Sequence, residues 1–314
     1  MAKKKGLTTL DILKLFIEGF ELYLKNLPKF LKYMAFPVLG QVLSVFLIFT
    51  TVHLFANNVE KLIYINPALN NVAVLLMVML ILIIPSFMIF FAAFWKYIVA
   101  MGSLNSMANN IISGAKLENL SIHNDTVNRR MGTFLGLVFV LSILSIGFIV
   151  PFISLIILIL MVFLCLSFQV FALEENLKTV GIIKKSFKMV KSNFLKTAFL
   201  LFLLWFFTYY LVPEIFNLIL NNIGLYKYLI LPIVEFSKDL PLAEIEQSVN
   251  TIFSAVNNTS TFTFDINSLA EKVVAMINTS IIIGFTLPLR SICCTLLYKN
   301  IEIKKLKEKK LKEL

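Results

Sequence analysis

The stretch FLGLVFVLSILSIGFIVPFISLIILILMVFLCLSFQVFA, residues 134–172, determines the fold of this chain because its 39 residues carry no charged side chain. A single helix of this length would be about 58 Å long, roughly twice the thickness of the hydrocarbon core of a bilayer. Gly147 and Pro151 lie at its midpoint, where a helix can end and a turn can begin. The stretch therefore predicts a tight hairpin of two membrane crossings, Phe134–Val150 and Pro151–Ala172.

The composition of the whole chain also indicates a membrane protein. Hydrophobic residues make up 59% of the sequence, charged residues make up only 15%, and the mean hydropathy is +0.87. These values are too apolar for an ordinary soluble domain. The net charge of +11 could indicate nucleic-acid binding, but the basic residues lie between apolar segments. Membrane topology explains that distribution better, so we expect no nucleic-acid partner.

Two stretches predict amphipathic helices that lie in the membrane interface. Between Thr8 and Leu27, apolar residues recur at helical spacing on one face and charged residues on the other, and Thr8 and Asp11 are spaced as in a capping box. The second stretch, Leu173–Asn193, places an apolar stripe beside lysines, as expected for a helix on an anionic leaflet. The apolar stripes are Leu10, Leu13, Phe16, Ile17, Phe20, Leu24 and Leu27 in the first helix and Val180, Ile183, Phe187, Val190 and Phe194 in the second.

Four further apolar segments bring the number of predicted crossings to six. The crossings are residues 31–56, 72–100, 134–150, 151–172, 194–212 and 273–298. They form a predicted membrane domain over residues 31–300, between a cytoplasmic start with the first amphipathic helix (1–30) and a basic cytoplasmic tail (301–314). Residues 213–272 are polar and acidic and are expected outside the cytoplasm. The apolar run Tyr226–Val234 within them is too short to cross.

The basic residues predict the orientation of the chain. Of the 29 basic residues, 24 lie in residues 1–32, 96–130, 178–196 and 299–314, which alternate crossings place on one side. Because lysine and arginine are retained on the cytoplasmic side, this distribution predicts that both termini are cytoplasmic. The predicted fold class is all-α: a polytopic membrane helix bundle with six transmembrane helices and two interfacial amphipathic helices.

Two parts of the chain share a pattern that an internal repeat would explain. The residues Phe-Leu-Lys follow each amphipathic helix, at 30–32 and at 194–196, and Pro85 and Pro288 precede an aromatic–lysine pair at the same spacing. Parallel repeats of this kind occur in some transporters. Chance similarity in a chain so rich in Leu and Phe is the alternative explanation.

Residues 175–194, ENLKTVGIIKKSFKMVKSNF, resemble a signature of a bacterial membrane family. That family includes the membrane domain that precedes the catalytic part of some glycerophosphodiester phosphodiesterases, together with uncharacterised stand-alone relatives. In residues 175–194, Ile182 replaces the alanine of the family's Ala-Leu-Lys-Arg-Ser helix. Pro288 and the closing residues 296–299 are similar to the family's Leu-Tyr-Tyr-Asp-Leu-Arg ending, in which Asn300 replaces the aspartate. The resemblance implies a protein of the bacterial cytoplasmic (inner) membrane. No stretch resembles the phosphodiesterase domain, so that activity is not implied.

The sequence has few residues suited to catalysis or metal binding. His53 and His123 are predicted on opposite sides of the membrane, and Cys165, Cys293 and Cys294 all lie in apolar segments. No His-Glu-x-x-His pair, Gly-x-Ser-x-Gly elbow or phosphate-binding glycine loop occurs. An adjacent cysteine pair and one distant cysteine cannot by themselves enclose a metal ion. We therefore expect no enzymatic activity, no cofactor and no metal.

Arg290 lies within a predicted crossing and is a candidate contact for an anion, whereas Lys32, Lys96 and Lys196 lie near the cytoplasmic ends of their crossings. Its guanidinium could bind a lipid phosphate or a substrate anion in a bidentate manner, or extend to the inner interface. The second amphipathic helix carries three candidate lysines, Lys184, Lys188 and Lys191. They could contact lipid headgroups or a partner, or they could serve only as a topological anchor. The candidate polar residues inside the crossings are Gln41 and Gln169.

The leading functional hypothesis is an accessory or scaffolding role in envelope or lipid homeostasis without a catalytic site. Its expected partners are membrane lipids with anionic headgroups. Assembly with a membrane partner protein and assembly into a homo-oligomer are both left as alternatives. The alternative is a subunit of a transporter or channel for a small or anionic substrate. Prolines within the crossings, which form hinges or packing kinks, favour that alternative. A continuous polar cavity lined by Gln41, Gln169 and Arg290 would support it.

Overall fold

The computed structural model describes residues 9–117, 120–237, 242–255, 263 and 265–313. Throughout these residues the regular secondary structure is helical, and six stretches are long and apolar enough to cross a membrane. The chain is therefore an all-α, polytopic membrane helix bundle, as predicted. Thr8 of the predicted capping box and parts of the predicted outer segment (238–241, 256–262 and 264) lie outside the described residues.

Thirteen α-helices lie in the described residues. They are α1 (Thr9–Lys25), α2 (Leu27–Ile65), α3 (Val72–Ile112), α4 (Ile122–Asn128), α5 (Met131–Ile146), α6 (Pro151–Leu164), α7 (Ser167–Leu173), α8 (Thr179–Lys191), α9 (Phe194–Trp205), α10 (Val212–Asn222), α11 (Leu225–Ser237), α12 (Leu242–Ala255) and α13 (Ile266–Glu313). The six candidate membrane spans are Leu27–Ile65, Val72–Ile112, Met131–Ile149, Pro151–Leu173, Phe194–Asn222 and Ile266–Leu306.

The hairpin predicted from residues 134–172 is present. A 3₁₀ turn at Gly147–Ile149 follows α5, and Pro151 is the first residue of α6, the helix position that its fixed φ favours. A Cβ at Gly147 would lie 2.8 Å from Ile157 Cγ1, so the turn requires glycine for its close approach to α6. The apolar pattern does not reveal a break at Cys165–Leu166, which separates α6 from α7.

Several crossing helices are longer than the apolar segments that predict them. α2 continues to Ile65, beyond the predicted limit at residue 56, because hydropathy marks only the part of a helix that suits hydrocarbon. The fifth span, predicted to end at Val212, continues through a π-helical turn into α10 and ends at Asn222. Pro213 has no N–H to donate to the Tyr209 carbonyl, so the regular hydrogen-bond ladder is interrupted there.

The packing divides the chain into two compact units. The first contains residues 1–41, 89–207 and 284–314, and the second contains residues 42–88 and 208–283. The first unit includes the central hairpin and both predicted amphipathic helices. All of the predicted site residues lie within it.

α13 is the most enclosed of the crossing helices. Two thirds of its most apolar window is buried, against less than half in the other spans. From Gly284 to Tyr298, every residue except Arg290 is buried or half-buried. Tyr23 of α1 contributes to this enclosure, because its Oη donates to the Phe285 carbonyl at 3.0 Å. Burial raises the pKa of Tyr23 to about 12.

α1 packs on the bundle with a face that overlaps its predicted apolar stripe only in part, since Phe16 and Phe20 of the stripe contact the Phe207 ring. The buried residues of α1 include Ile12, Leu15, Gly19 and Tyr23. A Cβ at Gly19 would overlap Sγ of Cys293 on α13, so these two helices approach each other very closely. Leu10 and Ile17 of the predicted stripe stay 68% and 54% exposed. Such exposed apolar residues are what an interfacial helix presents to lipid.

Candidate functional site

The three candidate lysines of α8 project away from the protein. Lys184, Lys188 and Lys191, which we call the lysine surface, are exposed. The buried residues on the opposite side of α8 are Ile182, Ser186, Met189 and Val190. Between these sides lies most of the predicted apolar stripe, whose Val180 and Phe187 stay 63% and 39% exposed, although its Val190 belongs to the buried side. α8 therefore has one side against protein, one exposed apolar side and one basic side.

The α5–α6 hairpin holds α8 in this orientation. Ser186 Oγ donates to the Phe163 carbonyl at 2.9 Å, and the Phe163 and Phe187 rings stack with their centroids 4.4 Å apart. At the start of α8, Thr179 Oγ1 donates to the Thr133 carbonyl at 3.2 Å. These contacts fix the rotation of α8 about its axis. The lysine surface is consequently held outward by packing and hydrogen bonds on the opposite side of the helix.

Arg130 fixes the segment that connects α7 to α8. Its guanidinium donates to the carbonyl oxygens of Phe171 at 2.7 Å, Glu174 at 3.0 Å and Leu177. Its Cζ also lies 4.7 Å from the centroid of the Phe171 ring. The last carbonyls of a helix lack intrahelical donors and carry partial negative charge, so a cation is favourable here. Burial lowers the pKa of Arg130, and the nearby Glu175 carboxylate opposes that shift.

Glu174 connects three elements where the hairpin ends. Its carboxylate accepts a hydrogen bond from the Tyr298 hydroxyl of α13 and forms an ion pair with Lys185 of α8. Tyr298 is 2% exposed and the Glu174 side chain is 21% exposed, so the bond is partly shielded from water, and a lower local dielectric strengthens it. Glu302 lies beside the same hydroxyl, with its Oε1 3.4 Å from Tyr298 Oη. This cluster positions α8 against α13.

His123 and Tyr33 hold the short helix α4. Ser106 Oγ lies 2.9 Å from His123 Nδ1, and Tyr33 Oη donates to Asn124 Oδ1 at 2.6 Å. His123 is 6% exposed, and this burial lowers its pKa below the ordinary value of 6.5. The neutral imidazole is therefore the form that the folded chain favours.

Gln169 bonds a second polar side chain inside the first unit. Its Nε2 donates to Asn105 Oδ1 of α3 at 2.8 Å, and Asn105 Nδ2 donates to the Met101 carbonyl at 2.7 Å. Gln169 Oε1 and Ser167 Oγ are buried and have no hydrogen-bond partner among the residues that the structure describes. A buried polar atom without a partner costs about 1–3 kcal/mol. These atoms would therefore be stabilised by a bound water or a polar ligand.

The structure does not join Gln41 and Arg290 to this polar pair through hydrogen bonds between the described residues. Gln41 Nε2 donates to the Pro37 carbonyl of its own helix at 2.6 Å. Gln169 bonds α3, and Arg290 is exposed on α13. The three candidates therefore have separate surroundings, and these bonds do not form the continuous polar path that a transporter would require.

Arg290 lies near two cysteines of the first unit. Its charge is close enough to the thiols of Cys165 and Cys294 to interact with both. Cys165 is half-buried at the break between α6 and α7, whereas Cys293 and Cys294 are buried. Within the described part of the chain, no group of three or more His, Cys, Asp or Glu is placed to hold a metal ion.

The second unit has a polar pocket that the sequence did not predict. Its lining residues are Glu214, Asn217, Leu218, Asn221, Tyr226 and Glu271. Tyr226 Oη donates to the Glu271 carbonyl at 3.1 Å. Burial raises the pKa of Tyr226, and the negative charges of Glu271 and Glu214 raise it further. The two carboxylates make this pocket unfavourable for an anionic substrate.

Sequence reasoning identified the lysine surface but not the residues that position it. The spacing of the lysines shows which side of α8 is basic, whereas the contacts of Arg130 and Glu174 depend on how the hairpin folds. One signal was available, because Arg130 and Glu174 directly flank residues 131–173, which carry no charge. Folding that stretch back on itself brings its two charged ends together, and Arg130 does donate to the Glu174 carbonyl.

Comparison with known proteins assigns no family to the chain. No protein-family model, no curated protein and no solved structure matches it. The resemblance of residues 175–194 to the membrane domain of glycerophosphodiester phosphodiesterases accordingly stays a prediction.

Proposed function

We propose that this chain is a non-enzymatic accessory or scaffolding protein of the bacterial inner membrane, and that it acts in lipid or envelope homeostasis. Its lysine surface contacts anionic headgroups, and both of its termini are cytoplasmic. The three-sided arrangement of α8 is the observation that carries this proposal. The resemblance of residues 175–194 to a bacterial membrane family supports the choice of membrane.

The geometry of α8 suits the surface of an anionic leaflet. Its exposed apolar stripe can enter the boundary between headgroups and acyl chains while the adjacent lysines stay at headgroup level. Each lysine near an anionic membrane surface contributes about 1 kcal/mol. Lys305 of α13 is near enough to Lys185 and Lys188 for their charges to interact. Glu302 and Glu174 offset part of this charge near Lys305, so the exposed Lys184, Lys188 and Lys191 supply the charge for an anionic contact.

The orientation of the chain follows from the distribution of all its basic residues. Six crossings place both ends of the chain on one side of the membrane, and 24 of the 29 basic residues lie in the segments assigned to that side. Retention of basic residues in the cytoplasm then places the lysine surface at the inner leaflet. That leaflet is the one whose anionic lipids attract basic segments.

Lipid retention by the full-length protein tests the proposal. The protein would be extracted in a mild non-ionic detergent with an equal mixture of phosphatidylglycerol and phosphatidylcholine, and the retained lipids counted by native mass spectrometry. We expect the wild type to prefer phosphatidylglycerol. The triple substitution Lys184→Gln, Lys188→Gln and Lys191→Gln should reduce that preference by about tenfold, allowing for partial screening.

A second triple substitution provides the matched control. Lys14→Gln, Lys25→Gln and Lys32→Gln remove the same charge from exposed positions of α1 and α2, where Glu18 and Glu21 already offset the lysines. We expect this variant to keep most of the preference for phosphatidylglycerol. Equal preference in the wild type and the α8 variant, or equal losses in the two variants, would contradict the proposal.

The atoms Gln169 Oε1 and Ser167 Oγ, unpartnered within the described part of the chain, support a second candidate function, a transporter or channel subunit, although the hydrogen bond of Gln41 does not extend this polar site into a path. Polar residues with unsatisfied atoms inside a membrane bundle often mark a solute pathway. If this function applies, the protein reconstituted in planar bilayers should conduct, and Gln169→Leu should abolish the conductance. Absence of conductance in the reconstituted wild type would rule out a channel formed by this chain alone.

A further inference from the structure

Arg290 marks an opening in the packing around α13. Between Gly284 and Tyr298, twelve residues are buried and two are half-buried, so neighbouring elements cover the helix on nearly all sides. Arg290 alone in this stretch is exposed. An exposed side chain on an otherwise covered helix must project through a gap between the covering elements. Because the helix spans the membrane, the gap is a lateral opening within the bundle.

The guanidinium has no partner of its own in the described part of the chain. It makes no hydrogen bond and no ion pair there, and only the thiols of Cys165 and Cys294 interact with its charge. A guanidinium carries five N–H donors and keeps its charge. Leaving such a group unpaired within a membrane is costly. Residues 134–172 and 273–298, which form the hairpin and the core of α13, contain no acidic residue. Glu18 of α1 is near enough to Cys293 for its charge to interact with that thiol, but it forms no ion pair with Arg290 among the described residues.

Extension along α13 toward Lys299 does not give the guanidinium a partner. Lys299, the next charged residue along α13, is nine positions away, about 13 Å along the helix axis. Side chains of an α-helix lean toward its N-terminus. This direction takes Arg290 away from Lys299.

We propose that Arg290 binds the phosphate group of a lipid-like amphiphile that enters the opening laterally. The planar guanidinium matches two phosphate oxygens with parallel hydrogen bonds, which a point charge cannot do. The amphiphile's apolar chain has a surface to follow on α6. Leu158 lies two turns before Cys165 on the same face of α6 and is 53% exposed. This site goes beyond the proposed function, since it lies inside the crossings and does not require the lysine surface.

Binding of lysophosphatidic acid to the full-length protein in non-ionic detergent tests this inference. Lysophosphatidic acid has one acyl chain and a phosphate monoester, and monoacylglycerol and inorganic phosphate are the matched probes. We expect Arg290→Gln to weaken binding of lysophosphatidic acid about tenfold or more. Arg290→Lys, which keeps the charge but loses the bidentate geometry, should fall between Arg290→Gln and the wild type. Arg129→Gln removes an exposed arginine outside the crossings and should bind like the wild type.

Cys165 provides a readout that needs no substitution. This thiol is half-buried near Arg290, while Cys293 and Cys294 are buried. Lysophosphatidic acid should slow alkylation of Cys165 by a lipophilic maleimide, and inorganic phosphate should not. Equal protection by inorganic phosphate would show a free-anion site, and equal protection by monoacylglycerol would show an apolar groove alone. Either result overturns the inference.

The lysine surface supplies the remaining control. The triple α8 variant should lose its preference for phosphatidylglycerol and keep Arg290-dependent binding of lysophosphatidic acid. If that variant instead loses lysophosphatidic acid binding and Arg290→Gln does not, the amphiphile binds at the lysine surface. That result overturns the inference about Arg290 and leaves the proposed function in place.

Discussion

At the scale of single residues, two adjacent glutamates have different roles. Glu174 bonds Tyr298 and Lys185, whereas Glu175 is exposed. The difference arises because α7 ends at Leu173 and the chain turns there toward α8. Only the first of the two carboxylates is directed at α13. Their identical chemistry makes the pair a matched test of the cluster.

Glu174→Gln should destabilise the protein more than Glu175→Gln. The amide removes the charge-assisted bond with the buried Tyr298 hydroxyl, at a cost of about 1–2 kcal/mol. Loss of the partly exposed Lys185 pair adds little. We expect the melting temperature in detergent to fall by a few degrees in Glu174→Gln, with little change in Glu175→Gln. Equal melting temperatures in the two variants would show that the cluster does not stabilise the fold.

His123 predicts a pH dependence of stability. Burial lowers its pKa in the folded chain below 6.5, so between the folded and unfolded pKa values the unfolded chain binds a proton that the folded chain does not. Stability should therefore fall as the pH drops below about 6.5 and level off below the folded-state pKa. The difference between the melting temperatures measured above and below pH 6.5 should be smaller in His123→Gln than in the wild type. An unchanged pH dependence in this variant would assign the effect to other groups.

At the scale of elements, α1 and α8 share one arrangement of buried and exposed residues. Each buries a face that contains small residues, Gly19 in α1 and Ser186 in α8, and leaves larger apolar residues exposed beside it. A small residue lets a helix approach its neighbour closely, while large apolar residues suit lipid. The predicted apolar stripes therefore face both lipid and protein: Leu10, Ile17 and Val180 are exposed, whereas Val190 is buried and Phe16 and Phe20 contact Phe207.

Gly19→Val tests the close approach of α1 to α13. The new side chain would meet Sγ of Cys293 in a packed contact, and overpacking of this kind costs about 1–3 kcal/mol. Gly132→Val is the control, because a Cβ at Gly132 meets no atom within 4 Å. We expect a lower melting temperature only in Gly19→Val, since valine is a better helix former than glycine at the open site.

At the scale of the whole molecule, the six spans determine on which side each loop lies. Lys61 lies after the first predicted crossing. Lys191, the last residue of α8, lies after the fourth. Both side chains are exposed. Loops separated by an odd number of crossings lie on opposite sides of the membrane, so these two positions should be in different compartments.

Cysteine labelling in intact cells measures this arrangement. A membrane-impermeant maleimide should label Lys61→Cys directly and Lys191→Cys only after the membrane is permeabilised, because basic segments stay in the cytoplasm. The wild type is the control, since its three cysteines lie within the crossings. Equal labelling of the two variants in intact cells would contradict the six-crossing topology.

Much of the architecture could be predicted from the sequence alone. The length of the uncharged stretch 134–172 and the position of Gly147 and Pro151 within it require two crossings and a turn, because hydrocarbon admits only apolar helices of limited length. These are local properties that each segment carries by itself. The break at Cys165 and the extension of the fifth span beyond Val212 were missed, because helix hydrogen bonding continues or stops independently of hydropathy.

The amino-acid sequence by itself determined the number of crossings, the place of the hairpin and the basic side of α8. Only the tertiary structure decided which face of α8 meets protein, that Glu174 rather than Glu175 bonds Tyr298, and that Arg290 is the exposed residue of the covered stretch from Gly284 to Tyr298. The physical reason is that partition into a bilayer depends on the composition of one segment. A side-chain contact depends instead on the rotation of each helix and on partners that lie 100 or more residues away, as Glu174 and Tyr298 do.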